Sequence, residues 1–223
     1  MLPSFADNTN PNSLASRLRE KRNEQFSSLL DNLPRPLKIL DVGGSRMVWE
    51  RLRLVDQPDV HISILNCDEV LYREQEECRY KNVRNVVGDA RDMGHFHDCQ
   101  FDMVYSNSVI EHVGSIDQMA RMASEIRRVG RRYFVQTPYR YFPIEPHFVF
   151  PMFQFLPLSI RTLMVRNFSL GWVAKQPDRK RAADEVRSIN LLSRRELQSL
   201  FPDGRMMEER LWGLTKSLII HRP

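Results

Sequence analysis

The chain has little cysteine, little glycine, few lysines and no long apolar run. Three cysteines, Cys67, Cys78 and Cys99, are an odd number without Cys-x-x-Cys spacing. They read as ordinary thiols of a reducing compartment and speak against a disulfide framework or a zinc module. No stretch of about 18 uncharged apolar residues occurs, so no segment is expected to span a bilayer. The start, Met1-Leu2-Pro3-Ser4-Phe5-Ala6-Asp7, lacks a basic region followed by an apolar core. No secretory signal is expected from it, and a cytoplasmic location is. Lysine supplies only 6 of the 33 basic residues, so an arginine-rich composition accounts for part of the net charge of +5.

What is present is enough for one core. With 223 residues, 42% of them hydrophobic, a single domain over residues 1–223 is expected. The basic charge is uneven: residues 161–195 hold nine basic residues against Asp178, Asp184 and Glu185. That surplus reads either as an anion-facing patch or as a solvated face without a partner.

Apolar runs ending in polar residues recur along the chain. Strands are expected at Lys38 to Val42, His61 to Asn66, Arg84 to Val87, Phe101 to Ser106 and Arg132 to Thr137, with helices at 13–30, 46–55, 69–80 and 115–129. Alternation of this kind predicts an α/β fold with a mostly parallel, doubly wound sheet. Residues 206–212 and 214–221 around Gly213 predict a closing hairpin. The organisation is an N-terminal helical segment (1–36), a core (37–137), an insertion (138–190) and a C-terminal helix and hairpin (191–223).

The run Ile39-Leu40-Asp41-Val42-Gly43-Gly44-Ser45 is a buried strand opening into a tight turn, where open α/β sheets bind nucleotide-like ligands. Asp41-Val42-Gly43-Gly44, then Asn66-Cys67-Asp68, Gly88-Asp89-Ala90 and Phe101 to His112 together resemble the class I S-adenosylmethionine-dependent methyltransferases, most nearly the branch called methyltransferase type 11. The likeness covers residues 37–137 well and extends weakly to the hairpin. It implies a Rossmann-like, seven-stranded sheet with a substrate-cap insertion after the fifth strand, and S-adenosyl-L-methionine as cofactor.

The resemblance carries over residue by residue. Asp41 corresponds to a carboxylate near the cofactor ammonium, and Gly43 and Gly44 allow close backbone approach, with Val42 and Ser45 flanking them. Helix N–H groups after that turn can receive the cofactor carboxylate. Asn66 or Asp68 accepts from the ribose diol, the register being open; Asp89 accepts from the adenine amino group, Ala90 offers its N–H, and Asn107 completes the set. Ser45 and Met47 stand where the family pattern has its second and third glycines. The same departures count against a nicotinamide dinucleotide, whose pyrophosphate needs those glycines.

Methyl transfer from a sulfonium needs in-line approach, and a base where the acceptor is an alcohol. Glu111 and His112, just past the fourth strand, and His147, with Glu145 beside it, are the candidates. His112 also reads as a structural residue at a helix start. Further clustered ligands are not evident, so no metal is expected. His95 and His97 read as surface residues.

Between Tyr139 and Phe155 lie seven aromatics in 17 residues, interrupted by prolines. They read either as a cap over the transfer site or as a packed lid or homodimer contact. Residues 157–172 suit an amphipathic helix, packed on the domain or lying on an anionic membrane surface. The expected function is methyl transfer to a small-molecule or saccharide acceptor, at oxygen. The alternatives are methylation of RNA or another nucleic acid, suggested by the basic stretch, and a cofactor-binding protein of the same fold without turnover.

Overall fold

The computed structural model describes residues 14–67 and 80–223. Asp68, Cys78 and, except for Tyr80, the helix expected over 69–80 lie outside the described residues.

The apolar runs form five parallel strands: β1 (Leu37–Val42), β2 (Val60–Asn66), β3 (Val83–Val87), β4 (Met103–Asn107) and β5 (Tyr133–Pro138). Every residue of β5 and all but Lys38 of β1 are buried, as strands covered on both faces require. After β5 the chain makes a small separate hairpin, β6 (Ile144–Glu145) with β7 (Phe150–Pro151). It returns through β8 (Arg205–Leu211) and β9 (Leu214–Arg222), a hairpin turning at Gly213 with φ +78°. β9 lies antiparallel to β5, giving the seven-stranded order β3-β2-β1-β4-β5-β9-β8. Chain order reverses between β1 and β4, so a crevice is expected where their carboxyl ends part.

Helices cover both faces. α1 (Leu14–Leu30) sets Phe26 against Trp49, Tyr105 and Phe134, with ring centroids 4.6–6.0 Å apart. Trp49 comes from α2 (Arg46–Arg51). On the other face α3 (Ile116–Val129) starts in a reciprocal Ser115–Gln118 cap and buries Met119, Met122, Ala123, Ile126 and Val129, one helical stripe. α4 (Leu158–Asn167), α5 (Arg179–Arg187) and α6 (Arg194–Leu200) follow the β6–β7 hairpin. Phe148, Phe153, Val165, Ala182 and Val186 form a third, smaller core between them.

Three elements end or start elsewhere than the periodicity predicts. α2 stops at Arg51 rather than near residue 55, because the Asn82 side chain takes over the backbone: its Nδ2 donates to the carbonyls of Leu54 and Gln57, and its Oδ1 accepts from the Asp56 N–H. β4 begins at Met103, Phe101 making a single bridge to Gly130. The helix expected over 157–172 ends at Asn167, where Phe168 turns extended and a reversal at Gly171, φ +55°, follows. α5 arises inside the basic stretch because Asp178 caps it by accepting from the Arg181 N–H. No helix among the described residues is long and apolar enough to cross a membrane.

Candidate functional site

The tips of β1 and β4 hold the glycine turn. Gly43 has φ +74°, and a Cβ there would meet Val109 Cγ2 at 2.6 Å. At Gly44 a Cβ would fall 1.9 Å from Asp41 Oδ2. Asp41 therefore lies packed beneath Gly44, with no exposed surface, its Oδ2 accepting from the Trp49 indole at 2.7 Å and its Oδ1 without a partner. Burial pushes its carboxyl up to about 7, the indole hydrogen bond working against that rise. Asp41 braces the turn from below; contact with a cofactor ammonium would need the turn to shift.

The neighbouring tips converge on the same turn. Asn66 Nδ2 donates to the Gly44 carbonyl at 3.2 Å, and Ser106 Oγ to that of Val42 at 3.2 Å. Ser45 takes the N-cap position of α2 in extended backbone, its side chain making no cap bond. Met47 stands 60% exposed, so the missing third glycine costs the turn no packing. Asp89, at the end of β3, pairs with Arg91 at 2.6 Å, and that hydrogen bond, outweighing partial burial, holds its carboxyl below the ordinary range. Ala90 beside it packs against the main core.

Asn107 accepts from an arginine that sequence reasoning missed. Arg22, buried on α1, donates from Nη1 to Asn107 Oδ1 and from Nε and Nη2 to Glu209 Oε1 and Oε2 at 2.7 Å each. The signal was present: Leu18, Arg22, Phe26 and Leu30 recur every fourth residue, which places the arginine on the apolar face. A cavity of about 330 Å³ opens at this point, lined by Arg22, Asn107, Ser108, Phe142, Trp172 and Lys216 among others. Burial, with Arg22 close by, holds the Lys216 ammonium below its ordinary value.

A second cluster adjoins the cavity. Glu111 lies in the single turn Ile110–His112 after β4, fully buried; its Oε2 accepts from Thr137 Oγ1 at 2.9 Å, and its Oε1 has no partner. Burial pushes its carboxyl up to about 7. His112 is pushed down to about 4 by desolvation of its ring and by His147, whose ring meets it edge-on at 4.8 Å between centroids. His147 Nδ1 lies 2.7 Å from Glu145 Oε1, while Glu145 Oε2 accepts from the N–H groups of His147 and Phe148. Burial opposes a charge on His147, and the hydrogen bond and charge of Glu145 outweigh it, raising the imidazole. The fold thus brings together three groups that sequence leaves as a Glu111–His112 pair and a separate His147. Of the aromatics, Phe142 lines the cavity, Phe148 and Phe153 stack in the small core at 4.0 Å, and Tyr141 and Phe155 are exposed.

The turn fits a cofactor that presses close to backbone, since neither glycine can carry a side chain, and Asn66 and Asp89 stand at the tips beside it. The chain is similar over residues 41–133 to the family described as "Methyltransferase domain". Uncharacterized protein Rv1509 of Mycobacterium tuberculosis is 36% identical over 84 residues, 38% of this chain, which spans only 29% of that relative's length. Among solved structures, the CurJ carbon methyltransferase has a TM-score of 0.61 at 11% identity, covering 94% of this chain and 55% of its own. A SAM-dependent methyltransferase from Methanosarcina mazei has 0.55 at 17%, covering 87% and 95%. The magnesium protoporphyrin IX methyltransferase of Synechocystis, with bound SAH, has 0.53 at 14%, covering 92% and 83%. The chain thus shares the fold of these structures, with a two-glycine turn where its strand order reverses, and is similar to the methyltransferase family over residues 41–133, less than half of its length.

Proposed function

We propose that the chain transfers a methyl group to an oxygen of a hydroxylated small-molecule or saccharide acceptor. The observation that carries this reading is the cavity at Asn107 and Ser108, at the end of β4 beside the strand that leads into the glycine turn, which combines Phe142 and Trp172 with the polar Arg22 and Lys216. Bound S-adenosylmethionine supplies an already activated methyl group, so the protein has to orient, to exclude water and to receive a proton. Gly43, Gly44, Asn66 and Asp89 hold the cofactor in this reading, and the aromatic side chains orient the acceptor. The cluster of Glu111, His112, Glu145 and His147 handles the proton of the acceptor hydroxyl. Free Cys67 and Cys99 suit a reducing, cytoplasmic setting.

Nucleic-acid methylation draws on α5, where Arg179, Lys180 and Arg181 all face solvent. The two readings separate in one experiment. Protein incubated with methyl-labelled S-adenosylmethionine is offered sugars, hydroxylated small molecules and RNA. Label in a small hydroxylated product supports the proposal. Label in RNA, with binding that weakens steeply as salt rises, overturns it in favour of the second reading.

A further inference from the structure

We infer that Glu111, His112 and His147 form a binding site for one divalent transition-metal cation of the zinc class, with Glu145 as the residue that orients His147. The inference deepens the reading above by giving the proton-handling cluster its chemistry. It begins with placement: one ligand atom from each of the three lies within 4.8 Å of the other two, although His147 is 35 residues from His112. Metal–nitrogen and metal–oxygen bonds of about 2.0–2.2 Å place ligands on one ion roughly 3–4 Å apart. Small side-chain rotations close the remaining gap.

The surroundings are those of a built site. Glu145 is itself 2% exposed, and one of its oxygens is fixed by two backbone N–H groups while the other faces His147 Nδ1 at 2.7 Å. That arrangement keeps the ring proton on Nδ1 and leaves the Nε2 lone pair for an ion, the carboxylate–histidine pairing that metal-binding histidines use. The His147 carbonyl is held in turn by the Trp172 N–H at 2.9 Å, and a Cβ on Gly171 would strike that carbonyl at 2.5 Å. The loop after α4 therefore closes tightly over the histidine backbone.

Glu111 supplies an independent sign. A fully buried carboxylate with one oxygen satisfied by Thr137 and the other by nothing bears an uncompensated cost. A cation between Glu111 and the two imidazoles removes it. Two imidazoles and one carboxylate favour zinc or a neighbouring first-row ion over magnesium or calcium, which take oxygen ligands. Three protein ligands leave a position open. Ile144 and Pro146, the chain neighbours of Glu145 and His147, line the acceptor cavity, so the open position lies at its wall. An acceptor hydroxyl bound there is acidified by the ion and gives its proton to solvent.

The test is metal binding by the full chain, read without activity. Protein stripped with chelator is titrated with Zn²⁺ against a chromophoric competitor, and with Co²⁺ by visible absorption. One ion per chain is expected. His112→Ala and His147→Ala should each abolish the stoichiometric step, and Glu145→Gln should weaken it by about 10–100-fold, with circular dichroism unchanged. His97→Ala, remote from the cluster, should bind as the parent does. Absence of Zn²⁺ and Co²⁺ binding at micromolar concentrations, or binding that survives both histidine variants, overturns the site. A parallel titration with S-adenosylmethionine keeps the outcomes apart: its failure counts against the methyltransferase reading and leaves the metal result standing.

Discussion

Arg22 and Glu209, 187 residues apart in the chain, form a bidentate ion pair whose side chains are 8% and 7% exposed. The pair ties α1 to the far edge of the sheet, and Ser217 Oγ donates to the same carboxylate at 2.6 Å. Arg22→Ala leaves a buried carboxylate without its counter-charge and should cost about 3–5 kcal/mol in urea unfolding. Arg22→Met combined with Glu209→Met should recover at least half of that loss. A single variant within about 1 kcal/mol of the parent would show that the pair is not a structural tie.

The glycine turn gives a second prediction. Gly44→Ala forces a methyl group onto the Asp41 carboxylate, 1.9 Å away, and neither the enclosed carboxylate nor the turn can yield freely. A stability loss of about 1–3 kcal/mol is expected, as for overpacking elsewhere, with weakened cofactor binding. Thermal melting with and without S-adenosylmethionine measures both.

Asp41 should also leave a mark on the pH dependence of stability. Its folded value, about 7, exceeds the ordinary value of 3.8, so the native state holds the proton more tightly than the unfolded chain does. The favourable contribution is complete below pH 3.8 and is lost as pH rises through 7. Asp41→Asn stays neutral and keeps an oxygen for the Trp49 indole. It should therefore gain on the parent, by on the order of a few kcal/mol at pH 8, and gain little at pH 4. Parallel unfolding curves at the two pH values would contradict the burial argument.

At Asp89 the prediction concerns binding rather than stability. The side chain is 42% exposed, so Asp89→Ala should fold normally, and its pairing with Arg91 is a surface pair worth at most about 1 kcal/mol. Cofactor affinity should fall about tenfold, the loss of one charged hydrogen-bond acceptor. Calorimetry on the folded variant decides it; unchanged affinity removes Asp89 from the proposed cofactor site.

His147→Ala should lower turnover far more than cofactor affinity, because the ring, paired with Glu145 and close to Glu111, follows Pro146, which lines the proposed acceptor cavity. Equal turnover would remove it from the proton-handling cluster.

The sheet was legible in the chain because each central strand is an apolar run ending in polar residues, as in Ile39 to Asp41 or Met103 to Asn107. Position along those strands also located the turn and the tip residues Asn66 and Asp89. Partners far apart in sequence were not legible. Nothing local says that Arg22 reaches Glu209, or that the β6–β7 hairpin carries His147 onto Glu111 and His112. The early end of α2 depends on one side chain, Asn82, brought from beyond the next strand. The aromatic run Tyr139 to Phe155 was visible as a cluster, but whether a ring packs inward like Phe153 or lines the cavity like Phe142 is settled by tertiary contacts.

The most direct measurement is calorimetric titration of the purified chain with S-adenosylmethionine and S-adenosylhomocysteine, with NADH as control. If the glycine turn holds the methyl donor, one site of micromolar affinity is expected for both sulfur compounds and none for the dinucleotide. Absence of binding by either sulfur compound to the folded protein, or binding of NADH in their place, would contradict that reading.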